Sequence, residues 1–542
     1  MAQSALFALL LLIPSSGLAQ TISAPRDART KVDNIFEKYN RTDSPGCAVG
    51  VSLEDAPILS AAYGMADLEH GVALTPDSIF EPGSVTKQFT AAAVLLLARS
   101  GKISLDDPVR KYIPELPDYG TPITIRHLIN HTSGLRDWGN IQRIAGWPRT
   151  TRAYTHANVL EIVSSQKSLN YPPGAEYSYT NTGYNLSAIL VARVAGQSLP
   201  DFTKETIFTP LGMTSTSWRD DFQRIVKNRA MAYQDDGTGF RSLMPFENVF
   251  GNGGLLTTVG DLLRWNRNFK DAKVGGREFV DAQQQRGRLT DGRTIAYAGG
   301  LRVTQWRGVA EVSHSGSTAG YQAWLGRYPD QRLSVAVLCN VTSAAATRLG
   351  HQVAAVYLRG VIKEDKSTFQ PGDVSALAGL YSSIHDHGTI EIRVNNGSVQ
   401  LDRRGALIPI SANVFTSGED GPRVEFQKDS TGAVRRVLLG SEAEENVYER
   451  VEPAKLTKAD FEALTGEYLS DEAGISLRVV FENDGLTIRR KPDSSFALRP
   501  TYKDAFSSPL GSVRFIRDSN GRVREMSIGD SRVWDLRFRR SQ

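Results

Sequence analysis

Apolar positions recurring every three to four residues mark two long helices in the larger, N-terminal part of the chain. One covers 84–99, where QFTAAAVLLLAR runs on to a stop at Gly101; the other covers 181–195 and ends at Gly196. This spacing puts the apolar side chains on one helix face, and a glycine just past the last periodic residue is a helix stop. Short apolar and β-branched runs bounded by turn residues predict strands at 47–54, 309–313, 321–328 and 333–339. Strands at both ends of this region with helices between them predict an α+β domain. Its antiparallel sheet would be completed by the region's own termini and flanked by helices.

Beyond residue 362 the helical period fades. A polar stretch at 363–374 reads as a linker. After it, alternating strands are separated by turns at Asn395-Asn396-Gly397, Asp429-Ser430-Thr431-Gly432 and Asn520-Gly521. Leu377-Ala378-Gly379-Leu380-Tyr381 returns as Leu464-Thr465-Gly466-Glu467-Tyr468, and Val424-Glu425-Phe426 returns as Val513-Arg514-Phe515 at nearly the same offset. Two matches at one offset predict two copies of an all-β module, each a small, lipocalin-like antiparallel barrel. The expected divisions are 20–362, 375–454 and 455–542.

The N-terminus adds a destination. Residues 5–14 are a short apolar run, and Gly17-Leu18-Ala19 offers small residues for cleavage after Ala19. The chain is therefore expected to be exported, to the periplasm or beyond, although no Lys or Arg precedes the run. The run is too short to span a bilayer, and no other segment suggests a membrane span. A net charge of +4 over 542 residues, with no dense basic block, argues against a nucleic-acid partner. Cys47 and Cys339 each sit in an apolar run and read first as small buried hydrophobes; a disulfide stays open in an oxidising compartment. Neither their spacing nor any other motif points to a metal or cofactor. His385-Asp386-His387 is at most a weak metal signal and reads as a plain turn.

Three motifs carry candidate chemistry. In Ser84-Val85-Thr86-Lys87, residues three apart share a helix face, so a hydroxyl and an amine can meet. Serine needs such a base to become a nucleophile. The match at Ser164-Ser165-Gln166-Lys167 opens no apolar helix and reads as surface. Tyr179-Thr180-Asn181 precedes the second long helix and offers a phenol for proton transfer and an amide to hold Lys87 and a substrate carbonyl. The phenol would need a cation beside it to ionise readily. His314-Ser315-Gly316 ends one predicted strand; Gly316 permits close backbone approach. The N–H groups of Ser317 and Ser84 could form an oxyanion hole.

The order and spacing of these motifs resemble the serine β-lactamase and penicillin-binding-protein superfamily, in its class C branch with esterases and D-aminopeptidases. The stretches at 124–135, 251–262 and 314–340, and the segment ending at Met213, resemble that branch too. The resemblance implies a metal-free acyl-enzyme mechanism with Ser84 as nucleophile, Lys87 and Tyr179 moving protons, and Asn181, His314, Gly316 and Ser317 placing the substrate. True β-lactamases have Lys-Thr-Gly where this chain has His314-Ser315-Gly316, so β-lactamase activity is expected to be secondary at most. The paired barrels resemble three-domain D-aminopeptidases. The expected substrate is a small peptide or amide containing D-residues. An esterase on small acyl esters and a weakly catalytic binding or sensing protein are the alternatives, and a homo-oligomer stays open. In the D-aminopeptidases a loop of the last barrel enters the active site. No inserted loop is evident here, since 506–515 is no longer than its counterpart 415–426.

Overall fold

The structure is a computed structural model that describes residues 22–363, 369, 371–418, 421–440 and 444–541. The expected export signal and most of the expected linker lie outside these residues.

Six strands form the central sheet: β1 (Cys47–Leu53), β2 (Ala56–Tyr63), β3 (Arg302–Trp306), β4 (Val309–Thr318), β5 (Tyr321–Tyr328) and β6 (Leu333–Cys339). They lie in the order β2-β1-β6-β5-β4-β3, and every neighbouring pair is antiparallel. The first strand thus pairs with the last, as the terminal placement of the strands predicts. Helices cover both faces. On one face Val32 and Phe36 of α1 (Ala28–Phe36) pack with Val49, Val51 and Val337, beside Leu349 and Val353 of α5 (Ala346–Leu358). On the other face lie α2 (Lys87–Arg99), α3 (Asn181–Ala195) and α4 (Val259–Asp271). Gly50 lets α4 come close, since a methyl group there would stand 3.0 Å from Leu263 Cδ1.

Two element boundaries differ from the sequence reading. Ser84 sits in a tight 3₁₀ turn, Gly83–Thr86, and the α-helix begins only at Lys87. Gly83, at φ +52°, bends the chain against β4, where a Cβ would lie 2.6 Å from the Ser317 nitrogen. In turn β4 runs five residues past the predicted end, so His314-Ser315-Gly316 lies inside a strand. Ser315 and Ser317 alternate there with His314, Gly316 and Thr318, and the lack of apolar positions hid that continuation. The β3–β4 pairing stops at Ser313–Arg302, which leaves 314–318 without a strand partner on that side.

Cys47 and Cys339 face each other across β1 and β6 and are bonded as a disulfide. The default reading of two separate buried thiols is therefore corrected. Strand register brings the pair together across 292 residues of sequence, which local patterning does not reveal.

Both C-terminal modules are antiparallel β structures. The first is a nine-stranded sheet whose outer strands, Gly405–Ala406 and Ile408–Ser411, are consecutive, so the chain itself bridges the seam. The second is a closed eight-stranded barrel from Gly466 to Arg540. The repeat is physical as well as sequential. Tyr381 and Tyr468 are both buried, and each donates its hydroxyl to the carbonyl four residues back, Leu377 at 2.9 Å and Leu464 at 2.8 Å. Asp429 and Asp518 both accept from the N–H two residues on and pair with an arginine six residues on, Arg435 and Arg524.

The closed barrel docks on the helical side of the N-terminal domain. Arg136, whose side chain is 2% exposed, reaches Glu472 at 2.5 Å and the Asp535 carbonyl at 2.5 Å. Arg143 donates to the Leu510 carbonyl and pairs with Asp530, while Arg490 returns two hydrogen bonds to the carbonyls of Arg143 and Ile144.

Candidate active site

A cavity of about 1160 Å³ opens between β4 and the helical part. Six of the seven expected site residues line it: Ser84, Tyr179, Asn181, His314, Gly316 and Ser317. The seventh, Lys87, lies fully buried beneath Ser84.

The 3₁₀ turn lifts Ser84 to the cavity floor and leaves Lys87 at the first position of α2. The Lys87 ammonium nitrogen lies 3.1 Å from Ser84 Oγ, 3.0 Å from Asn181 Oδ1 and 2.8 Å from the Asn252 carbonyl. All three partners are uncharged oxygens. Burial, and then the Arg532 cation, hold the Lys87 pKa well below its ordinary value. Asn181 is placed by the start of α3, where its N–H donates to Asp137 Oδ2 at 2.7 Å. Asp137 also caps the helix Trp138–Ala145 through the N–H groups of Gly139 and Asn140.

Tyr179 stands over the same lysine, with the Lys87 nitrogen 4.8 Å from its ring centre. Burial raises its phenol pKa above the ordinary value, and its interaction with the Ser84 hydroxyl and the nearby Arg532 oppose the rise. The sequence reading looked for a cation that eases ionisation. The cations are present, but burial outweighs them, so the phenol keeps its proton.

On the strand side, Gly316 is required by contact: a Cβ there would lie 1.9 Å from the Pro82 carbonyl oxygen and 2.9 Å from the Ser84 nitrogen. This approach brings the backbones of Ser84 and Ser317 close together in the cavity lining. His314 does not titrate near neutrality, because burial and then Lys87 hold its pKa down to about 3. Its Nδ1–H donates to the Ser315 carbonyl at 2.5 Å, which leaves Nε2 to accept the Tyr297 hydroxyl at 2.9 Å.

Four contributors were not singled out from sequence: Asn252, Asp137, Tyr297 and Arg532. Asn252 lies in a stretch that carried the family resemblance, but its carbonyl role has no residue-type signature. Arg532 reaches the site from the last barrel without an inserted loop. It belongs to the tight hairpin joining the last two strands of the closed barrel, Val523–Asp530 and Val533–Arg540, and it lines the cavity. The 506–515 segment carries no insertion, and an ordinary turn achieves the reach because the whole barrel is docked close by. Ser417, Gly418 and Gly421 of the first β module also line the cavity. His385-Asp386-His387 forms a turn, as read from sequence. His385 stacks on Trp534 at 3.9 Å between ring centres and lies 3.1 Å from Glu176. Among the described residues no group of three His, Cys, Asp or Glu is placed to hold a metal ion.

The beta-lactamase family matches residues 32–358, the segment that builds the sheet, the helical part and the cavity floor. The chain belongs to the beta-lactamase family. Penicillin-binding protein 4* of Bacillus subtilis is 30% identical over 446 residues, covering 77% of this chain and 97% of that protein. A D-aminopeptidase of Brucella anthropi is 26% identical over 538 residues, covering 94% of this chain and 98% of its own length, so the family likeness extends through both β modules. Among solved structures, an octameric penicillin-binding protein homologue from Pyrococcus abyssi superposes with a TM-score of 0.56 at 23% identity, covering 78% of this chain and 99% of that one.

Proposed function

We propose that this chain is an exported serine hydrolase that cuts amide bonds next to D-residues, in the manner of a D-aminopeptidase, through an acyl-enzyme on Ser84. The observation that carries the reading is the Lys87 amine, buried, without a carboxylate partner, and 3.1 Å from the Ser84 hydroxyl. Relatives named as D-aminopeptidases span nearly the whole chain and support the substrate class.

In the proposed reaction, Lys87 accepts the Ser84 proton as Oγ bonds to the substrate carbonyl carbon. The N–H groups of Ser84 and Ser317 face the resulting oxyanion. Tyr179 gives its phenolic proton to the leaving nitrogen as the C–N bond breaks, and the Lys87 ammonium re-protonates Tyr179. Water then attacks the ester by the reverse proton path. His314 and Tyr297 position the strand without changing charge. Residues 20–362 are taken as the catalytic unit and 375–454 and 455–542 as the two barrels. The Cys47–Cys339 bond suits an oxidising compartment, in keeping with export, and no helix among the described residues is long and apolar enough to cross a membrane.

A panel of D-amino-acid amides, p-nitrophenyl esters and a chromogenic cephalosporin tests the reading. Turnover of D-amides, lost in Ser84→Ala with the fold intact, is the expected result. Turnover of esters alone would reassign the protein as an esterase. No turnover, with Ser84 still acylated by a mass-detected donor, would make it a binding protein.

A further inference from the structure

Every charged side chain in the described lining of the cavity, apart from histidine, is an arginine: Arg149, Arg302, Arg307, Arg348 and Arg532. Arg149 is held by both oxygens of Glu247, Arg302 pairs with Glu444 at 2.7 Å, and Arg307 donates to the Lys363 carbonyl. Arg348 is exposed and, like Arg532, makes no hydrogen bond among the described residues; of the two, it is Arg532 that stands over the Tyr179 ring. Its backbone is pinned: its carbonyl accepts the Asp137 N–H at 3.2 Å and Asn170 Nδ2 at 3.1 Å, and its N–H donates to Asp530 at 2.9 Å. Its guanidinium, by contrast, makes no hydrogen bond among the described residues. The nearest carboxylate, Asp137, is 3.9 Å away, and both of its oxygens already accept backbone N–H groups. The Arg532 side chain is 36% exposed, and its guanidinium carbon lies 5.0 Å from the centre of the Tyr179 ring.

We propose that Arg532 is a specificity-determining residue that binds a carboxylate on the leaving fragment of the substrate. The inference rests on the hydrolase reading above and adds a substrate feature to it. Tyr179 marks the side of the site from which the amine departs, and Arg532 stands over the same ring. A guanidinium fork matches a carboxylate with two parallel hydrogen bonds. A neutral His314 offers no competing charge from the strand. An amine on the leaving fragment would meet a cation and, in the described lining, no Asp or Glu. The acids adjoining that lining in sequence, Glu419 and Asp420, lie outside the described residues. The substrate class is therefore a short peptide cut close to a free C-terminal carboxylate, with the recognising charge supplied by the closed barrel.

The test compares D-alanyl-D-alanine with D-alanyl-D-alanine amide, which share the central amide bond and differ by one charge. The products D-alanine and D-alanine amide are quantified by mass spectrometry. The wild type is expected to favour the acid in kcat/KM by about tenfold or more, the worth of one hydrogen bond to a charged group. Arg532→Gln should bring the ratio to within about threefold, and Arg532→Lys should restore part of it. A wild-type ratio near one, or a ratio unchanged by Arg532→Gln, overturns the inference while leaving the hydrolase reading standing. Calorimetric titration of both dipeptides into Ser84→Ala protein, with Arg or Gln at 532, reads the same contact without turnover. Equal affinities, or no binding of either dipeptide, would overturn the inference even if the protein proves inactive.

Discussion

Lys87 is hydrogen-bonded only to oxygens that carry no formal charge, and the favourable field of Asp137 does not offset its burial and the Arg532 cation. Burial favours the neutral amine more than water does, and in the proposed reaction the neutral amine is the form that takes a proton from Ser84. kcat/KM for a neutral substrate should therefore fall on the acid side as Lys87 becomes protonated. Arg532→Gln removes a cation that disfavours protonation, so the acid limb should move to higher pH in a pH–rate profile. An unmoved limb would separate Arg532 from the lysine's electrostatics. The buried imidazoles make a second statement about pH. His314 and His131 are both held neutral in the fold, chiefly by burial, whereas in the unfolded chain each titrates near 6.5. The unfolded chain thus binds more protons below that value, and stability present above pH 6.5 is lost as pH falls toward about 3, the folded value for His314. Denaturant titration should show about 2 kcal/mol lost per such histidine between pH 7 and pH 5. His314→Gln should remove its share of that loss. At this scale Ser84, Lys87 and Tyr179 were legible because residue type and spacing announce them. Asn252 was not, because a backbone carbonyl has no type.

Strand β4 and the 3₁₀ turn beneath it are built to touch. Gly316 fits against the Pro82 carbonyl only because it lacks a side chain. Gly316→Val should push the strand off the turn, costing about 1–3 kcal/mol of overpacking. It should also lower kcat more than it raises KM, since the Ser317 N–H would move from the oxyanion position. A Gly316→Val protein with wild-type kcat would remove that N–H from the mechanism. Helices α2 and α3 and four of the six central strands were readable from the sequence pattern. The end of β4 was not, because Ser313, Ser315 and Ser317 alternate there with His314, Gly316 and Thr318 and leave no apolar face to read; pairing with β5 across the turn at Ala319-Gly320 holds it extended.

The N-terminal domain and the closed barrel share a buried charge pair, Arg136 with Glu472. Glu472→Ala would leave Arg136 buried without its carboxylate, a loss of about 3–5 kcal/mol when one partner of such a pair is removed. Thermal and denaturant unfolding should show it, and Glu472→Gln should recover part through the remaining hydrogen bond. Destabilisation within the range of ordinary surface substitutions would mean that the barrel is only loosely seated. The two barrels were visible as a repeat, but their seating was not, because docking is set by side chains such as Arg136 and Arg143 that look like any exposed arginine in sequence. The disulfide was likewise hidden, and it has a consequence for handling the protein. Cys47 and Cys339 tie the neighbouring strands β1 and β6, the first and last of the sheet in chain order, into a covalent ring that encloses Ser84 and helices α2 to α4. A protease nick anywhere within that ring cannot release a fragment: the two pieces should migrate as one band on a non-reducing gel and separate only once a thiol is added.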